Sequence, residues 1–518
     1  MQARRARAFA RPMLAAALAL AVAAQAGQIA PVAQSAQEAQ PVPPAPGWRF
    51  HIDARALDKG QLAIELTLRG FDGPLLLCVD MHGASKSLRE VRAIRAPQDP
   101  APGAALLATP LARDPDRNDC FSAAARKGEP LEVRYQVDLA DLARHHGDPD
   151  WASRAGDDYV FNDESVLLHP DPLPNDAPIA IDFALPDGVS VAAPWKPGRD
   201  GAHFESDAKQ YDAGSYVAIG KLHPLRPVES HGGRFEVVAL GQARRGSDKA
   251  LQGWIDRAAG AVGDFYGGVP TGRALVVLVP VEGESGGGVF GSTLHRATPS
   301  AVLFFGADAP DAAFADDWMA THELFHIGNP RLTARIHWFN EGSATYYQDV
   351  LRGRIGMESP AAIWGDLYDG FRRFCDPQGG RSLAAESLHL HEWHSYTRLY
   401  WGAACLFFRA DVLIREHSGG KRSLDDLLLQ LLHTSMQDGP LDEDDLLEAL
   451  DAAVGKPFAR EQLGRTQPES LDGLYQKLGI VPIASDKVRL DESAPEAVLR
   501  CAILEPTSPR PGSSGSPR

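Results

Sequence analysis

Residues 316–330 read DDWMATHELFHIGNP, a stretch that fits one helix followed by a stop. Within it, His322, Glu323 and His326 follow the pattern HExxH. Residues four apart on a helix lie one turn above each other, so both imidazoles can bind one zinc ion while Glu323 reaches a zinc-activated water. Positions 312–326 contain neither glycine nor proline, and Gly-Asn-Pro at 328–330 ends the pattern, so a helix is predicted over 312–326.

A third metal ligand is available at Glu341, with fourteen residues between it and His326. Glu341 lies in WFNEG (338–342), just before SATYYQDVL, which is predicted as the next helix. A His, His, Glu set leaves the fourth tetrahedral position for water, as in catalytic rather than structural zinc sites. Taken alone, Glu341 would fit a solvated glutamate in the first turn of a helix, but the neighbouring HExxH favours the ligand. Cysteine-rich structural zinc is excluded because the sequence has no CxxC pair.

Length, composition and charge bound the class of protein. The chain has 518 residues and a formal charge of −16, which at roughly 150 residues per domain indicates about three domains. A content of 44% hydrophobic and 23% charged residues excludes a mostly disordered or collagen-like chain. An acidic surface repels nucleic acid and anionic lipid, so neither is expected as a partner.

The N-terminus predicts export. Arginines at positions 4, 5, 7 and 11 precede an apolar run over 13–24, and Ala24-Gln25-Ala26 follows the A-x-A cleavage pattern. This combination is typical of a secretory signal peptide over residues 1–26. The apolar run is shorter than the ~20 residues that a membrane span needs. We therefore expect a periplasmic or secreted protein with no membrane span in the mature chain.

The pattern along the chain predicts an α+β multidomain protein. A disordered linker is expected over 27–46. Apolar alternation at 62–68, 131–137 and 179–185 then predicts half-buried strands, and hence a β-sandwich-like domain over 47–225. A mixed α/β domain is expected over 226–348, with strands at 235–240, 274–279 and 301–305 and a helix at 250–266, then a helical domain over 349–485 and a mostly disordered tail over 486–518.

The cysteines are too few for a disulfide scaffold, at five in 518 residues. Cys78 and Cys120 both lie in the predicted β domain, and in an oxidising compartment they are the expected disulfide pair. The sequence alone does not fix this connectivity. The other cysteines are expected to be incidental to a site built from histidine and glutamate.

HELFH followed by WFNEGSATYY resembles the gluzincin metallopeptidases, in which the zinc-binding glutamate sits in a W-x-x-E-G context. Within them, the sequence is similar to the glycyl aminopeptidase-like family over most of residues 48–480, including FNDESVLLHP at 161–170 and YDAGSYVAIGKL at 211–222. The resemblance implies an N-terminal β domain, a thermolysin-like catalytic domain and a helical domain. It also implies one Zn2+ ion per chain and a peptide substrate.

The sequence departs from the family pattern in its spacer, its substrate-amine site and its C-terminus. The spacer between His326 and Glu341 is shorter than in related aminopeptidases. The glycine-rich stretch 286–295 (GGGVFGSTLH) lacks the acidic residue that holds a free substrate amine in the family, and Glu282 and Glu284 are either replacements for it or loop carboxylates. No PDZ-like domain is visible after residue 480.

A further departure concerns the tyrosine that stabilises the transition state. Related enzymes place it three residues before a glycine at the start of a helix, whereas here Tyr400 stands two and Tyr396 six residues before Gly402. One of the two is expected to donate to the developing oxyanion, and Tyr400 is preferred; core packing is the alternative for either. The following histidines are candidate donors near the site or else exposed loop residues: His389, His391 and His394.

Together these features predict a zinc metallopeptidase in which Glu323 is the general base. An aminopeptidase is expected, while the missing amine-binding acid favours an endopeptidase as the alternative. A non-catalytic secreted peptide-binding protein that keeps the fold is a second alternative. The stretch 286–292 lacks bulky side chains at most positions, so substrate backbone could pair along it.

Overall fold

The computed structural model describes residues 47–95, 106–145, 151–174, 176–241, 243–295, 297–376 and 379–505. All of them belong to one unit of the chain, residues 44–518. The predicted signal peptide (1–26), the predicted linker (27–46) and positions 506–518 of the predicted tail lie outside the described residues. Among the helices of the described ranges, none combines the length and the apolar character that crossing a bilayer requires.

The N-terminal part of this unit is built almost entirely from strands. These are β1 (Gly47–Asp53), β2 (Gln61–Arg69), β3 (Gly73–Cys78), β4 (Leu88–Arg95), β5 (Leu107–Pro110), β6 (Ala112–Arg113), β7 (Cys120–Ala125), β8 (Leu131–Asp138), β9 (Ala152–Ala155), β10 (Asp158–Asn162), β11 (His169–Asp171), β12 (Pro178–Ala184), β13 (Ser190–Ala192), β14 (Lys196–Pro197), β15 (His203–Asp207) and β16 (Tyr216–Gly220). The two helices among them are α1 (Leu139–His145) and α2 (Ala208–Asp212), and short 3-10 turns cover Leu57–Lys59, Ala84–Ser87 and Asp163–Ser165.

Three sheets organise these strands around one apolar core. The largest has the order β14-β15-β12-β1-β2-β8-β4-β5, and two four-stranded sheets have the orders β13-β16-β10-β9 and β11-β3-β7-β6. Alternate residues of the strands are buried because side chains of a strand point to opposite faces in turn. Ile64 and Leu66 of β2, for example, face Tyr135 and Val133 of β8, and all four are buried. The predicted alternation is therefore confirmed.

The next part of the chain forms a mixed sheet with the order β17-β19-β20-β22-β21, in which β18 also pairs with β19. Its strands are β17 (His223–Pro224), β18 (Val228–Ser230), β19 (Gly233–Ala239), β20 (Arg273–Val281), β21 (Gly288–Leu294) and β22 (Ser300–Gly306). Strands β19, β20 and β22 run parallel, whereas β21 is antiparallel to β22 and lies at the edge of the sheet. Helix α3 (Asp248–Tyr266) packs on one face in one apolar cluster, and β10 and β16 pack on the other face.

Helices make up most of the remaining chain. They are α4 (Met319–Phe325), α5 (His337–Arg354), α6 (Pro360–Phe374), α7 (Leu383–Leu388), α8 (Leu390–Trp393), α9 (Tyr396–Ser418), α10 (Leu424–Gln437), α11 (Glu443–Val454), α12 (Ala459–Gly464), α13 (Asp472–Leu478) and α14 (Ala497–Ile503). A two-stranded sheet of β23 (Ile480–Pro482) and β24 (Val488–Leu490) and the 3-10 turns Asp311–Phe314 and His326–Gly328 complete the elements. The predicted α+β multidomain class is confirmed, with strands first and helices after them.

Helices α5 and α9 pack along one another and carry the centre of this region. A Cβ placed on Gly342 would lie 2.4 Å from the Cβ of Ala403, so only glycine permits this approach of the two backbones. Helix α9 ends at Gly419, which has a φ of 63° and forms a left-handed cap. Helix α10 then begins with a capping box of Ser423 and Asp426.

The helix that carries HExxH is shorter than the sequence predicts. The expectation was a helix over 312–326, but α4 begins only at Met319, after a separate 3-10 turn. The side chain of Asp317 explains the break, because its Oδ1 accepts from the backbone N–H of Met319 at 3.0 Å and from the indole of Trp254 at 3.0 Å. Its Oδ2 accepts from the backbone N–H of Gly288 at 2.7 Å. Asp317 thus joins the start of α4 to the edge strand, a tertiary contact.

Residues 486–505 also differ from expectation. They fall in the predicted disordered tail, yet they form β24 and α14. Ile503 is fully buried, and its backbone carbonyl accepts from the Nε of Arg354 at 3.0 Å. Arg500 is buried as well and donates to the carbonyls of Leu478 and Gly479 at 3.0 and 3.2 Å. Apolar packing and a buried guanidinium therefore hold this segment against α5 and α13.

Two disulfides are present. Cys78 and Cys120 face each other on β3 and β7 and are bonded, as expected from the sequence. Cys375 and Cys405 form a second disulfide that the sequence did not indicate, and this corrects the expectation that the remaining cysteines are incidental. It joins the end of α6 to the interior of α9. Cys501 is exposed and not bonded to another cysteine.

Candidate metal centre

Helices α4 and α5 bring three candidate metal ligands together. The Nε2 atoms of His322 and His326 lie 3.5 and 3.7 Å from Oε2 of Glu341. One ligand atom from each of the three residues lies within 4.8 Å of the others, and no other group of three such side chains in the described ranges meets this condition. Both histidines are buried, and Glu341 is mostly buried. The arrangement is one that could hold a metal ion.

The protonation states of two of these residues suit metal binding. Burial by itself would raise the pKa of Glu341, but the adjacent imidazoles of His326 and His322 and the Tyr400 hydroxyl outweigh it and hold the pKa at about 2. Burial lowers the pKa of His326 to about 3. Glu341 is therefore ionised and His326 neutral near pH 7, as ligands must be. Burial by itself would lower the pKa of His322, but the carboxylates of Glu341 and Glu323 outweigh it and raise the pKa above the ordinary value.

The histidines are oriented from behind by amide side chains. The Nδ1 of His322 lies 2.9 Å from Oε1 of Gln348 on α5. An amide oxygen only accepts, so Nδ1 carries the proton and Nε2 presents its lone pair towards Glu341. The contact at His326 has the opposite direction, because the amide N–H of Asn329 donates to Nδ1 of His326, with the two nitrogens 3.0 Å apart. Helix α5 thus supplies both a ligand and the residue that orients another ligand.

The edge strand β21 fixes the position of Glu323. The Thr293 hydroxyl lies 2.9 Å from the backbone carbonyl oxygen of Glu323 and 3.2 Å from its Oε2. A Cβ on Gly291 would lie 2.3 Å from Cγ of Glu323, so glycine is needed for the carboxylate to sit here. Glu323 is 8% exposed, which means that it is largely withdrawn from bulk water. The strand thus touches the side chain that the sequence predicts as the general base.

The glycine-rich stretch forms β21 at the edge of the sheet. Strand β21 pairs only with β22 in the sheet order and has a bulge between Gly288 and Phe290. Bulges at sheet edges commonly re-aim a side chain or end the pairing beside a functional site. Val289 and Phe290 are 42% and 41% exposed. As an edge strand, β21 presents backbone groups that do not pair with β22, although the N–H of Gly288 already donates to Asp317.

The structure distinguishes the two candidate tyrosines. Tyr400 on α9 contacts two of the candidate metal ligands. Its ring stacks on that of His322 with centroids 6.0 Å apart, and its hydroxyl interacts with Glu341. Burial and the carboxylates of Glu341 and Glu323 raise its pKa above the ordinary value. Tyr396 is 38% exposed, and its hydroxyl lies 3.1 Å from Nδ1 of His391. Tyr400 therefore contacts the candidate metal ligands directly, whereas Tyr396 lies one helical turn before it on α9.

The remaining candidates lie around the site. His389 bonds Glu392 at 2.9 Å, and the His394 ring is 6.3 Å from that of Tyr396. Glu282 and Glu284 are exposed in the turn after β20. The backbone of Glu284 bonds Val281 and Asp308, and no contact within the described residues brings either carboxylate to the three candidate ligands.

Several residues of the site escaped the sequence analysis. Gln348 could have been found, because it follows Glu341 by seven residues on one helix and so lies on the same face. Thr293, Gly291 and Asn329 gave no comparable signal. Their roles depend on how β21 and the turn after α4 fold against Glu323 and His326.

No family model matches the sequence, and no curated protein matches it either. Solved structures do match. An aminopeptidase N family protein from Idiomarina loihiensis is 19% identical, with 86% of this chain and 82% of that chain covered and a TM-score of 0.66. An M1 zinc metallopeptidase from Deinococcus radiodurans is 16% identical, with 82% and 95% covered and a TM-score of 0.51. The chain therefore has a fold similar to that of M1 zinc metallopeptidases, and the gluzincin-type architecture expected from its motifs is confirmed.

Proposed function

We propose that the protein is an exported zinc metallopeptidase that hydrolyses peptide bonds and acts as an aminopeptidase. The proposal rests above all on the convergence of His322, His326 and Glu341 beside a buried Glu323 that is held by β21. The fold shared with M1 zinc metallopeptidases supports it.

The donor set fits zinc. Two imidazole nitrogens and one carboxylate are common protein ligands of catalytic zinc, which keeps a further position open. The ionised Glu341, the neutral His326 and the Nδ1–H of His322 bonded to Gln348 meet the needs of such ligands. His322, His326 and Glu341 would hold the ion. When bound, zinc supplies a Lewis acid that polarises a carbonyl and lowers the pKa of water to about 7.

Glu323 is placed to move protons. Its Oε2 lies against the Thr293 hydroxyl and its Cγ against Gly291, so the carboxylate has a fixed position beside His322. It would accept a proton from the attacking water and pass that proton to the leaving amine. A general base of this kind must be held within hydrogen-bond reach of its proton, and β21 provides that restraint.

Tyr400 is placed to stabilise negative charge on the substrate oxygen. Its raised pKa keeps the hydroxyl protonated at neutral pH, so it can act as a hydrogen-bond donor. The edge of β21 would bind the substrate backbone by strand addition, with the bulge at Val289 marking where regular pairing ends. Substrate would then lie between the edge strand and Tyr400.

The central experiment measures metal and turnover together. We expect one zinc ion per chain, cleavage of a mixed peptide library by the wild type, and a severe loss of cleavage in Glu323→Gln with zinc retained. Glu461→Gln, which changes an exposed glutamate on α12, is the matched control and should cleave as the wild type does. A wild type without stoichiometric zinc, or a Glu323→Gln variant of wild-type rate, would contradict the proposal.

The distinction between aminopeptidase and endopeptidase rests on the substrate N-terminus. Glu282 and Glu284 are exposed in the turn after β20, and no contact within the described residues brings either carboxylate to the candidate ligands; the endopeptidase alternative rests on this. Peptides with free and with acetylated N-termini provide the test. Cleavage of only the free peptides is expected, and equal cleavage of both would instead support the endopeptidase alternative.

The non-catalytic alternative is a secreted peptide-binding protein with this fold. The four residues of the metal and base positions are all retained and brought together, which favours the enzyme. Export is supported by the signal-peptide pattern of residues 1–26. Mass spectrometry of the protein recovered from the periplasm and the medium should show an N-terminus after Ala26; an intact N-terminus in the cytoplasm would contradict export.

A further inference from the structure

A group of basic and aromatic side chains surrounds the outer side of the candidate metal centre. We call it the outer histidine cluster, and it consists of Arg335, His337, His391, His394 and Tyr396. None of these residues is a candidate metal ligand, and four of the five are exposed. His337 is partly buried at the first position of α5.

Two residues of the cluster lie one helical turn before residues of the candidate site, one on α5 and one on α9. On α5, His337 precedes Glu341 by four residues, and on α9, Tyr396 precedes Tyr400 by four. Residues four apart share a helix face, about 5.4 Å apart along the axis. Helices α5 and α9 pack together, and His337 and Tyr396 both contact His391.

Contacts within the cluster tie the two helices together and leave donors open. The rings of His337 and His391 are 5.3 Å apart at 82°, and Nδ1 of His391 lies 3.1 Å from the Tyr396 hydroxyl. The ring of His394 is 6.3 Å from that of Tyr396. Among the described residues, none forms a hydrogen bond with the ring of His337. Its nitrogens are therefore open to a ligand.

Charged groups of both signs act on His337. Burial lowers the pKa of His337, the charge of Glu341 acts against this, and Arg335 and His391 lower it further. Arg335, the one permanently charged member of the cluster, thus lies within electrostatic reach of the His337 ring. The nearest acid on the same loop, Glu392, is bonded to His389 at 2.9 Å. Arg335 therefore places a positive charge near the candidate metal ligands of a chain whose net charge is −16.

We propose that the outer histidine cluster binds a carboxylate of the peptide substrate. This inference rests on the proposed peptidase function. One helical turn is 5.4 Å, whereas an extended peptide advances at most about 3.3–3.6 Å per residue. The bound carboxylate therefore belongs to a residue one or two positions from the scissile bond. It is either an acidic side chain or the C-terminal carboxylate.

The donor set suits a carboxylate better than a neutral group. Imidazole, hydroxyl and guanidinium groups all donate, and none carries a negative charge that would repel an anion. Charge-assisted hydrogen bonds to a carboxylate are roughly twice as strong as neutral ones. An amide in the same place would keep the shape but lose the charge.

The test compares kcat/KM of the zinc-loaded enzyme for paired peptides. In one arm the pairs differ by Glu or Gln at one position within two residues of the cut, and in the other arm by a free or amidated C-terminus. We expect a preference of about tenfold for the carboxylate in one arm, the size of one charge-assisted hydrogen bond. The arm that shows it identifies the source of the carboxylate.

Variants then assign the preference to the cluster. In His337→Gln and in His391→Gln the carboxylate-to-amide ratio should fall to near one. Arg335→Gln, a change at an exposed position, should reduce the ratio as well and covers the case in which a His337 variant fails to fold. His51→Gln changes an exposed histidine on β1 and should keep both the ratio and the rate of the wild type.

Two results would overturn the inference and they differ from each other. Efficient cleavage by the wild type without a carboxylate preference in either arm, or a preference that all three variants keep, refutes the subsite alone. Absence of zinc-dependent cleavage of any peptide refutes the proposed peptidase function and the subsite with it.

Discussion

Replacing Gly291 by alanine tests whether the edge strand β21 sets the position of Glu323. The added Cβ would lie 2.3 Å from Cγ, 2.8 Å from Cδ and 3.1 Å from Oε1 of Glu323. Carbon atoms in contact are normally about 3.5–4.0 Å apart, so the carboxylate must move by about 1 Å. Gly291 does not have a positive φ, so the backbone itself accepts alanine.

A shift of this size acts on the reaction and not on the metal. Displacement of a catalytic group by 1 Å costs about 10²-fold in rate, equivalent to about 2.7 kcal/mol in the activation free energy. We expect kcat of Gly291→Ala to fall about a hundredfold. Zinc content should remain at one per chain, because His322, His326 and Glu341 do not contact Gly291.

The assay is steady-state hydrolysis of one good peptide, with zinc content and thermal unfolding measured on the same samples. Gly286→Ala is the matched control, because the nearest atom to its added Cβ is the Gly288 carbonyl oxygen at 3.5 Å, an ordinary contact. It should retain the wild-type kcat. A Gly291→Ala enzyme with full zinc and a kcat within about threefold of the wild type would refute a positioning role for β21.

Three further changes probe the surroundings of the metal. Tyr400→Phe should lower kcat by about 10²–10³ with little change in KM, because the oxyanion donor is lost; an unchanged kcat would assign this role elsewhere. Gln348→Leu should weaken zinc affinity by about 10–100-fold in a chelator competition, since Nδ1 of His322 loses its acceptor, and an unaltered affinity would contradict this. Burial raises the pKa of Asp349 to about 7 from 3.8, with Arg352 acting in the opposite direction. The folded chain therefore binds a proton that the unfolded chain releases in that window, and stability falls as pH rises from about 4 to about 7. The Asp349→Asn variant lacks this dependence of stability on pH. The Tm of the variant minus the Tm of the wild type should therefore be larger at pH 8 than at pH 5, and an equal Tm difference at the two pH values would contradict the assignment.

The ligand set was predictable because its geometry is local. HExxH places two imidazoles one turn apart wherever the segment is helical, and the W-x-x-E-G segment marks the next helix. The alternating strands of the β domain were predictable for a similar reason, since a period of two is visible in the sequence itself. Tyr400 was preferred over Tyr396 from spacing to Gly402, and it is the one that contacts Glu341.

The features that escaped prediction depend on contacts between distant segments. The start of α4 is set by Asp317, whose carboxylate bonds Trp254 and Gly288 as well as Met319. Thr293 reaches Glu323 only after β21 has paired with β22. The disulfide of Cys375 likewise depends on α6 packing against α9. Periodicity within one segment carries no information about such partners.

The close contact between Gly342 and Ala403 limits how the metal-binding motif can be transferred to another protein. Gly342, which follows the candidate ligand Glu341, takes no part in the chemistry. It lets α9 come close enough to bring Tyr400 over His322. Any residue larger than glycine at position 342 would therefore meet both the side chain and the backbone of Ala403 and force the two helices apart. Copying HExxH and the W-x-x-E-G segment into a new scaffold would transfer the ligands, but the tyrosine would follow only if the opposing helix offers a residue as small as alanine.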